Sequence, residues 1–265
     1  AYAAEWEEYR IINDDQLIAQ FRPLESEAVN RTDFRIAVSQ ALVDHWRERY
    51  GYKGEEQVVI PCTLGKEVEQ AALSVADRTD GIVRLVYSGS TAGWQSFDLL
   101  KPFLTKLLDT RPNVHVLFLS KRDANNSALE AAYPGRVEVK WLDHAQVADE
   151  LAKCDYGIMV REGTITNQVA SPTKFAEYLS SGLKVITNEG LGDFSALVKA
   201  HDLGSVVEEA STLPDLRPVD RDERARQGCA LSASTRLARR RFGRRRCGMA
   251  MGHGERRRSQ ADEFR

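Results

Sequence analysis

Short apolar runs alternate along this chain with longer segments whose apolar residues recur at helical spacing. The runs at 84–87, 114–119, 137–141, 156–160, 184–187 and 205–207 predict strands, and the segments at 94–109, 124–133, 144–154 and 193–201 predict helices. Strands that alternate with helices build a parallel sheet through right-handed crossovers, so the expected fold class is α/β, a doubly wound parallel sheet of Rossmann-like kind.

One stretch, 155–193, organises the rest: DYGIMVREGTITNQVASPTKFAEYLSSGLKVITNEGLGD. A strand at 156–160 leads into a polar loop at 161–170. Ser171-Pro172 is a helix start, Ser171 as a cap for free N–H groups and Pro172 in the first turn, where its missing N–H costs nothing. The helix runs to about Ser181 and stops at Gly182. A strand follows, then a glycine-containing loop at 188–193. Both loops fall at the carboxyl ends of strands, where open α/β sheets bind ligands.

The first part of the chain is less regular. Residues 1–31 read as charged and helical, with Glu25, Glu27 and Arg31 on a solvated face. A short strand at 33–39 ends in Ser39, which is placed to cap a helix at 41–50 closed by Gly51. Another short strand covers 58–62, and 63–80 reads as a connecting segment with some helix.

Composition adds limits. The chain has 265 residues, 42% of them hydrophobic, enough for a sizeable core in one or two domains. There is no apolar run of the roughly 18 residues that a membrane-spanning helix needs. The opening AYAAEWEEYR has neither the basic start nor the apolar centre of a secretory signal, and no initiator Met. Four cysteines without a CxxC pair read as reduced thiols of a cytosolic protein. The net charge of −2 hides an asymmetry: residues 221–265 carry 14 Arg and 5 acidic residues, a balance of +9, which leaves −11 on the first 220. An acidic body argues against a nucleic-acid-binding core. The arginine-rich end, with no apolar periodicity, reads as solvated and disordered; a shifted reading frame would explain it, and a nucleic-acid or membrane-surface tail is the alternative.

The candidate chemistry gathers at strand ends. Ser88-Gly89-Ser90 follows the first strand of the repeating unit, where small residues let backbone N–H groups approach a phosphate; a tight turn is the plainer reading. Lys121 and Arg122 end the next strand and are either phosphate ligands or an exposed loop pair. Lys174, one turn into the Ser171 helix, is opposed by the helix dipole, a cost more easily understood if an anion binds nearby. Glu177 shares its face, so an intrahelical Lys–Glu pair is the alternative. Arg161 needs an anionic partner, a phosphate or else Asp155 or Glu162. Gly190, Gly192 and Asp193 shape the last loop, and Asp193 is also placed to cap the following helix. The histidines form no metal-ligand cluster, and no GxSxG nucleophile motif occurs.

SPTKFAEYLSSGLKVI followed by GLGD, together with VYSGS, Trp94-Gln95 and the extended match from Asn167 to Gly182, resembles the nucleotide-sugar-binding region of GT-B glycosyltransferases of the family-four kind. The resemblance covers roughly 34–207. It implies two Rossmann-like domains, with the donor bound mainly by the second. The chain then divides into a remnant of the acceptor-side domain (1–62), a nucleotide-sugar-binding domain (63–215) and the arginine-rich tail (216–265). About 60 residues do not complete a Rossmann-like domain, so most of the first is expected to be absent. The implied reaction is transfer of a sugar, with retention, from a nucleotide-diphosphate sugar to a hydroxyl of a glycan or lipid-linked acceptor. The resemblance implies no metal and no cofactor beyond the donor substrate, and a cytoplasmic location, with peripheral association at the inner membrane face compatible. Acceptor residues and a catalytic histidine are expected in sequence outside this chain.

By the same resemblance Glu177 accepts hydrogen bonds from the ribose hydroxyls. Ser171, Pro172, Thr173 and Lys174 form the helix start at the donor, and the Asp143-His144 loop contacts the nucleobase, with His144 as a plain first-turn residue the alternative. Two departures stand out. The basic pair that holds the diphosphate in many relatives is missing from 91–95, where the chain reads TAGWQ. A second Glu that reaches the donor sugar is replaced by Val169, which leaves Arg161, Asn167 and loop amides as substitutes. A non-catalytic nucleotide-binding domain is the alternative function. A flavodoxin-like regulatory module would want clustered acids at strand ends, and no such cluster is visible.

Overall fold

The computed structural model describes residues 2–62, 64, 78–90, 93–208, 212–220 and 222–227. Most of the expected connecting segment at 63–80, and all of 228–265, lie outside the described residues.

The chain begins with α1 (Tyr2–Tyr9) and α2 (Asp15–Arg31), then β1 (Arg35–Ala37), α3 (Gln40–Tyr50) and β2 (Gln57–Val59). β1 and β2 pair in parallel across the α3 crossover. The expected solvated face of residues 1–31 holds for the Glu27–Arg31 ion pair but not for Glu25, whose carboxylate accepts from Tyr2 N and Tyr50 Oη and ties α1 and α3 to α2.

The main body is a parallel sheet built from β3 (Val83–Ser88), β4 (Val114–Leu119), β5 (Val137–Lys140), β6 (Tyr156–Met159), β7 (Lys184–Asn188) and β8 (Gly204–Val207). Its spatial order is β5-β4-β3-β6-β7-β8, and every pair is parallel. This is the doubly wound order with its reversal between β3 and β6, and ligands of such sheets bind outside the carboxyl ends of the strands at that reversal.

Helices cover both faces. α4 (Phe97–Thr110) carries Leu100, Phe103, Leu104, Leu107 and Leu108 on one stripe, all buried against β3 and β4. α5 (Ala124–Ala132) is closed by a reciprocal capping box from Asp123 and Asn126. After α6 (His144–Leu151), the short α7 (Ile165–Val169) interrupts what the sequence predicts as loop. α8 (Thr173–Ser180) and α9 (Phe194–Ala200) pack Phe175, Tyr178, Leu179, Phe194 and Val198 on the opposite face.

Packing continues past the boundary drawn at 215. Leu216 and Val219 join the core, and Glu223 and Arg224 are buried on a helical turn at 222–227. The anchor is Asp155, fully buried, which pairs with Arg78 at 2.6 Å and Arg224 at 2.8 Å and accepts the backbone N–H groups of Arg84 and Val219. No described helix is long and apolar enough to cross a membrane.

Candidate functional site

The carboxyl ends of β3 and β6 flank the topological reversal, and the residues just beyond them meet the start of α8. Gln95, Arg161, Asn167, Ser171, Thr173 and Lys174 line a cavity of about 310 Å³ there, together with the half-buried Glu5 of α1. Arg161 follows β6 and is held at both ends of its backbone by Asn188, whose Oδ1 accepts from Arg161 N at 2.9 Å and whose Nδ2 donates to Arg161 O at 2.8 Å. Lys174 stands on the first turn of α8, whose apolar residues bury the rest of the helix and aim this side chain across the sheet end.

These two cations are only 6% and 8% exposed. Arg161 donates to Gln95 Oε1 at 3.1 Å and to Asn167 Oδ1 at 3.3 Å. Lys174 Nζ donates to the same Gln95 oxygen at 2.8 Å and lies 4.6 Å from the Tyr87 ring centre. Among the described residues neither cation has a carboxylate in ion-pair range. The alternative partner for Arg161, Asp155 or Glu162, does not pair with it: Asp155 is at the other end of β6, bound to Arg78 and Arg224, and Glu162 is exposed. The Lys174–Glu177 pair is likewise absent, because Lys174 reaches across to Gln95 instead. Burial, and after it the charge of Arg161, hold the Lys174 ammonium well below the ordinary lysine range, while Glu177 pulls the other way. Burial also lowers the pKa of Arg161.

Gly89 explains how Lys174 gets so close. A Cβ on Gly89, which has φ +133°, would stand 3.0 Å from Lys174 Nζ. Gly89 therefore makes room for a cation. Ser88 N donates to Tyr178 Oη and Gly89 N to Leu119 O, so these two N–H groups are not free for a phosphate, and the Ser90 carbonyl accepts from Tyr87 Oη.

Other expected residues have different roles. Ser171 does not cap α8: its Oγ accepts from Cys62 N at 2.8 Å, and Pro172 sits at the N-cap position rather than in the first turn. The amide N–H groups at the start of α8 have no side-chain cap, so that positive helix end opens on the cavity. Asn167 is buried, and its amide donates to Tyr9 Oη and Glu162 O, so it shapes the α7 loop. Asp193 does not cap α9; its carboxylate accepts from Gln40 N and Ala41 N at the start of α3. Gly192 must be glycine, since a Cβ would lie 2.9 Å from Gln168 O and 3.0 Å from Ala170 O. Gly190 turns the loop at φ +75°.

Lys121, exposed, rests 5.2 Å from the ring centre of the exposed Trp141 at the outer rim of the sheet, and Arg122 is paired with Glu130. His144 opens α6 and is exposed. Neither Lys121 nor His144 lines the cavity. Glu177 is half-buried and makes no ion pair among the described residues. The sequence reading missed Gln95 as a site residue in its own right; a glutamine after a glycine-containing turn carries no signal until two cations are seen to share its oxygen.

No protein-family model matches the sequence, and a search of curated proteins finds no match. Solved structures do match in fold. WaaG, a glycosyltransferase involved in lipopolysaccharide biosynthesis, aligns with a TM-score of 0.54 at 15% identity over 90% of this chain and 66% of its own. A UDP-forming α,α-trehalose-phosphate synthase from Burkholderia vietnamiensis aligns with a TM-score of 0.57 at 9% identity, over 89% and 64%. Anabaena Alr3699/HepE, solved with UDP and glucose, gives 0.53 at 14%, over 83% and 62%. The chain thus spans about two thirds of the length of these proteins, and at these identities the likeness is one of fold: the parallel sheet and its helices are those of a GT-B Rossmann-like domain.

Proposed function

We propose that this chain carries the donor-binding part of a retaining glycosyltransferase, which moves a sugar from a nucleotide-diphosphate sugar to a hydroxyl of a glycan or lipid-linked acceptor. The observation that carries the reading is the convergence of buried Arg161 and Lys174, neither of them ion-paired to a carboxylate among the described residues, on a cavity at the switch point of the sheet, although Glu5 also lines that cavity. Burying cations without counter-charge is costly unless a ligand supplies it. A diphosphate does so: the Arg161 guanidinium offers a planar fork to phosphate oxygens, Lys174 a point charge, and the uncapped start of α8 its positive end.

In a transferase the same groups would stabilise the charge that develops on the leaving diphosphate as the glycosidic bond breaks. They take the place of the basic pair missing after β3. Glu177, on the next turn of α8 and free of an ion pair among the described residues, is assigned to the ribose hydroxyls. A carboxylate suits that role because it accepts from two adjacent hydroxyls at once. The resemblance of the SPTKFAEYLSSGLKVI segment to glycosyltransferases of the family-four kind supports this reading, as does the presence of UDP in the HepE structure. A cytoplasmic location, with the acceptor met at the inner membrane face, belongs to the same proposal.

Calorimetric titration tests it. Nucleoside diphosphates should bind at least tenfold more tightly than the matching monophosphates, and Arg161→Gln and Lys174→Gln should each remove most of that preference. Equal binding of nucleoside, mono- and diphosphate would overturn the assignment of the cavity to the diphosphate.

A further inference from the structure

The cavity already contains an oxygen where an anion is wanted. Gln95 Oε1 accepts from both Lys174 Nζ at 2.8 Å and Arg161 Nη2 at 3.1 Å, and the Gln95 residue is 8% exposed. The orientation of this amide follows from its partners: lysine and arginine only donate, so the oxygen and not the nitrogen must face them. A neutral amide oxygen gives two buried cations hydrogen bonds but no counter-charge, which an anionic oxygen in the same place would add.

Resting on the diphosphate reading above, we propose that Gln95 Oε1 is an internal stand-in for a phosphate oxygen: it holds Arg161 and Lys174 in place while the site is empty and is displaced when the donor's diphosphate arrives. The local backbone fits a residue that moves. Gln95 belongs to a single 3₁₀ turn, Gly93–Gln95, and not to α4. The next residue, Ser96, sits at φ +54°, ψ +49°, a left-handed conformation that L-residues other than Gly, Asn and Asp seldom adopt. Ser96 is itself buried and pinned, its Oγ accepting from Glu162 N at 2.8 Å. Displacement then needs only a rotation of the Gln95 side chain beside a fixed pivot, with no shift of α4.

Displacement has a consequence for selectivity. A ligand must replace both bonds of the amide at once, which one anionic phosphate oxygen in the position of Oε1 can do, so an anionic ligand is favoured over a neutral one. This also sets Gln95 apart from an ordinary binding residue, whose removal weakens the ligand. Removing a stand-in strengthens it, and charging the stand-in blocks the site.

The experiment uses the full chain with inorganic pyrophosphate and UDP as probes, titrated calorimetrically, with melting curves of the ligand-free proteins. Gln95→Met keeps the length of the side chain and lacks the oxygen; it should bind pyrophosphate and UDP about three- to tenfold more tightly while melting at or below the wild-type temperature. Gln95→Glu should melt higher than wild type and lose affinity tenfold or more. Unchanged or weaker binding by Gln95→Met would overturn the stand-in and make Gln95 either inert or a direct partner of the ligand. Gln95→Ala, measured the same way, replaces Gln95→Met if the latter misfolds. Arg161→Gln separates the two levels of the argument: if wild type binds and Arg161→Gln does not, the diphosphate reading stands whatever the Gln95 variants do. If wild type binds neither probe, that reading itself fails, and the stand-in with it.

Discussion

The Asp193 carboxylate, in the loop after β7, accepts the backbone N–H of Gln40 at 2.6 Å, 153 residues earlier in the chain, and that of Ala41 at 3.0 Å. The start of α3 is thereby capped from the main sheet. Ser39 takes the next N–H, that of Leu42, and its own hydroxyl donates to Val169 O. Three orphan donors of one helix are satisfied jointly by its own N-cap and by the β7–α9 loop, which fixes the first unit of the chain against the loops beside the cavity.

Asp193→Ala should therefore lower stability by about 1–2 kcal/mol, the usual worth of a helix cap, although Asp193 caps no helix of its own. Asp193→Asn should recover part of the loss, because it keeps an acceptor oxygen. Urea unfolding of the three proteins checks this, and an unchanged midpoint for Asp193→Ala would show that the contact contributes nothing.

Asp155 should be the most sensitive carboxylate in the body. It is fully buried between Arg78 and Arg224 and ties the starts of β3 and β6 to the segment after Val219. Asp155→Ala removes the carboxylate that pairs with buried Arg224, and breaking a buried pair costs about 3–5 kcal/mol in comparable cases. Arg224→Ala should cost less, because Arg78 still neutralises the carboxylate. Chemical denaturation reads both.

A pH effect is expected from Glu223. Burial works to raise its pKa, but hydrogen bonds from Arg217 and Lys184 outweigh it and bring the value down to about 2. A carboxyl lowered in the folded state stabilises at pH values above its unfolded pKa, and that stability is lost as pH falls through the folded value. Wild type should thus exceed Glu223→Gln in stability at pH 7, and the gap should shrink between about pH 4.5 and pH 2. Thermal melts at stepped pH would show it.

Lys174→Met should make the empty protein more stable while removing its ligand. The ammonium is charged against burial and against Arg161. Replacing the ammonium with an apolar side chain of similar length relieves its desolvation and its repulsion from Arg161, so the change should be neutral or stabilising. A lysine whose folded pKa is depressed destabilises below that value, and the penalty fades as pH rises toward the ordinary range near 10.4. The stability gap between variant and wild type should accordingly narrow at high pH. A drop in melting temperature at pH 7 would show that Lys174 is held by structural partners alone.

Glu177→Ala should weaken nucleoside-diphosphate binding about tenfold or more and leave the melting temperature nearly unchanged. Hydrogen bonds to a charged group contribute about 1.5–3 kcal/mol, and 1.4 kcal/mol is one decade of affinity. Glu177→Gln should fall between. Because no Lys174–Glu177 pair forms among the described residues, little stability is at stake, and equal affinity in all three proteins would remove Glu177 from the site.

The sequence by itself determined the body of this protein. Apolar runs such as Val114–Leu119 and the stripe Leu100, Phe103, Leu104, Leu107 and Leu108 of α4 are local patterns that bury one face whatever lies opposite. Periodicity therefore reveals them, and with them the alternating strands and helices of a doubly wound sheet. Positions near the site could also be named in advance, because Arg161 and Lys174 follow directly from a strand end and a helix start. What only the tertiary structure decided is which group each of them faces. Ser171 was placed to cap its own helix and instead serves Cys62; Asp193 was placed to cap α9 and instead caps α3; Lys174 bypasses Glu177, three residues on, for Gln95, 79 positions back. Hydrogen bonds and charges act over a few ångströms in any direction, and spacing along a chain encodes only the neighbours that a helix or strand supplies. The partners that the packing of the β3 and β6 ends against α8 brings together appear only once the sheet is assembled.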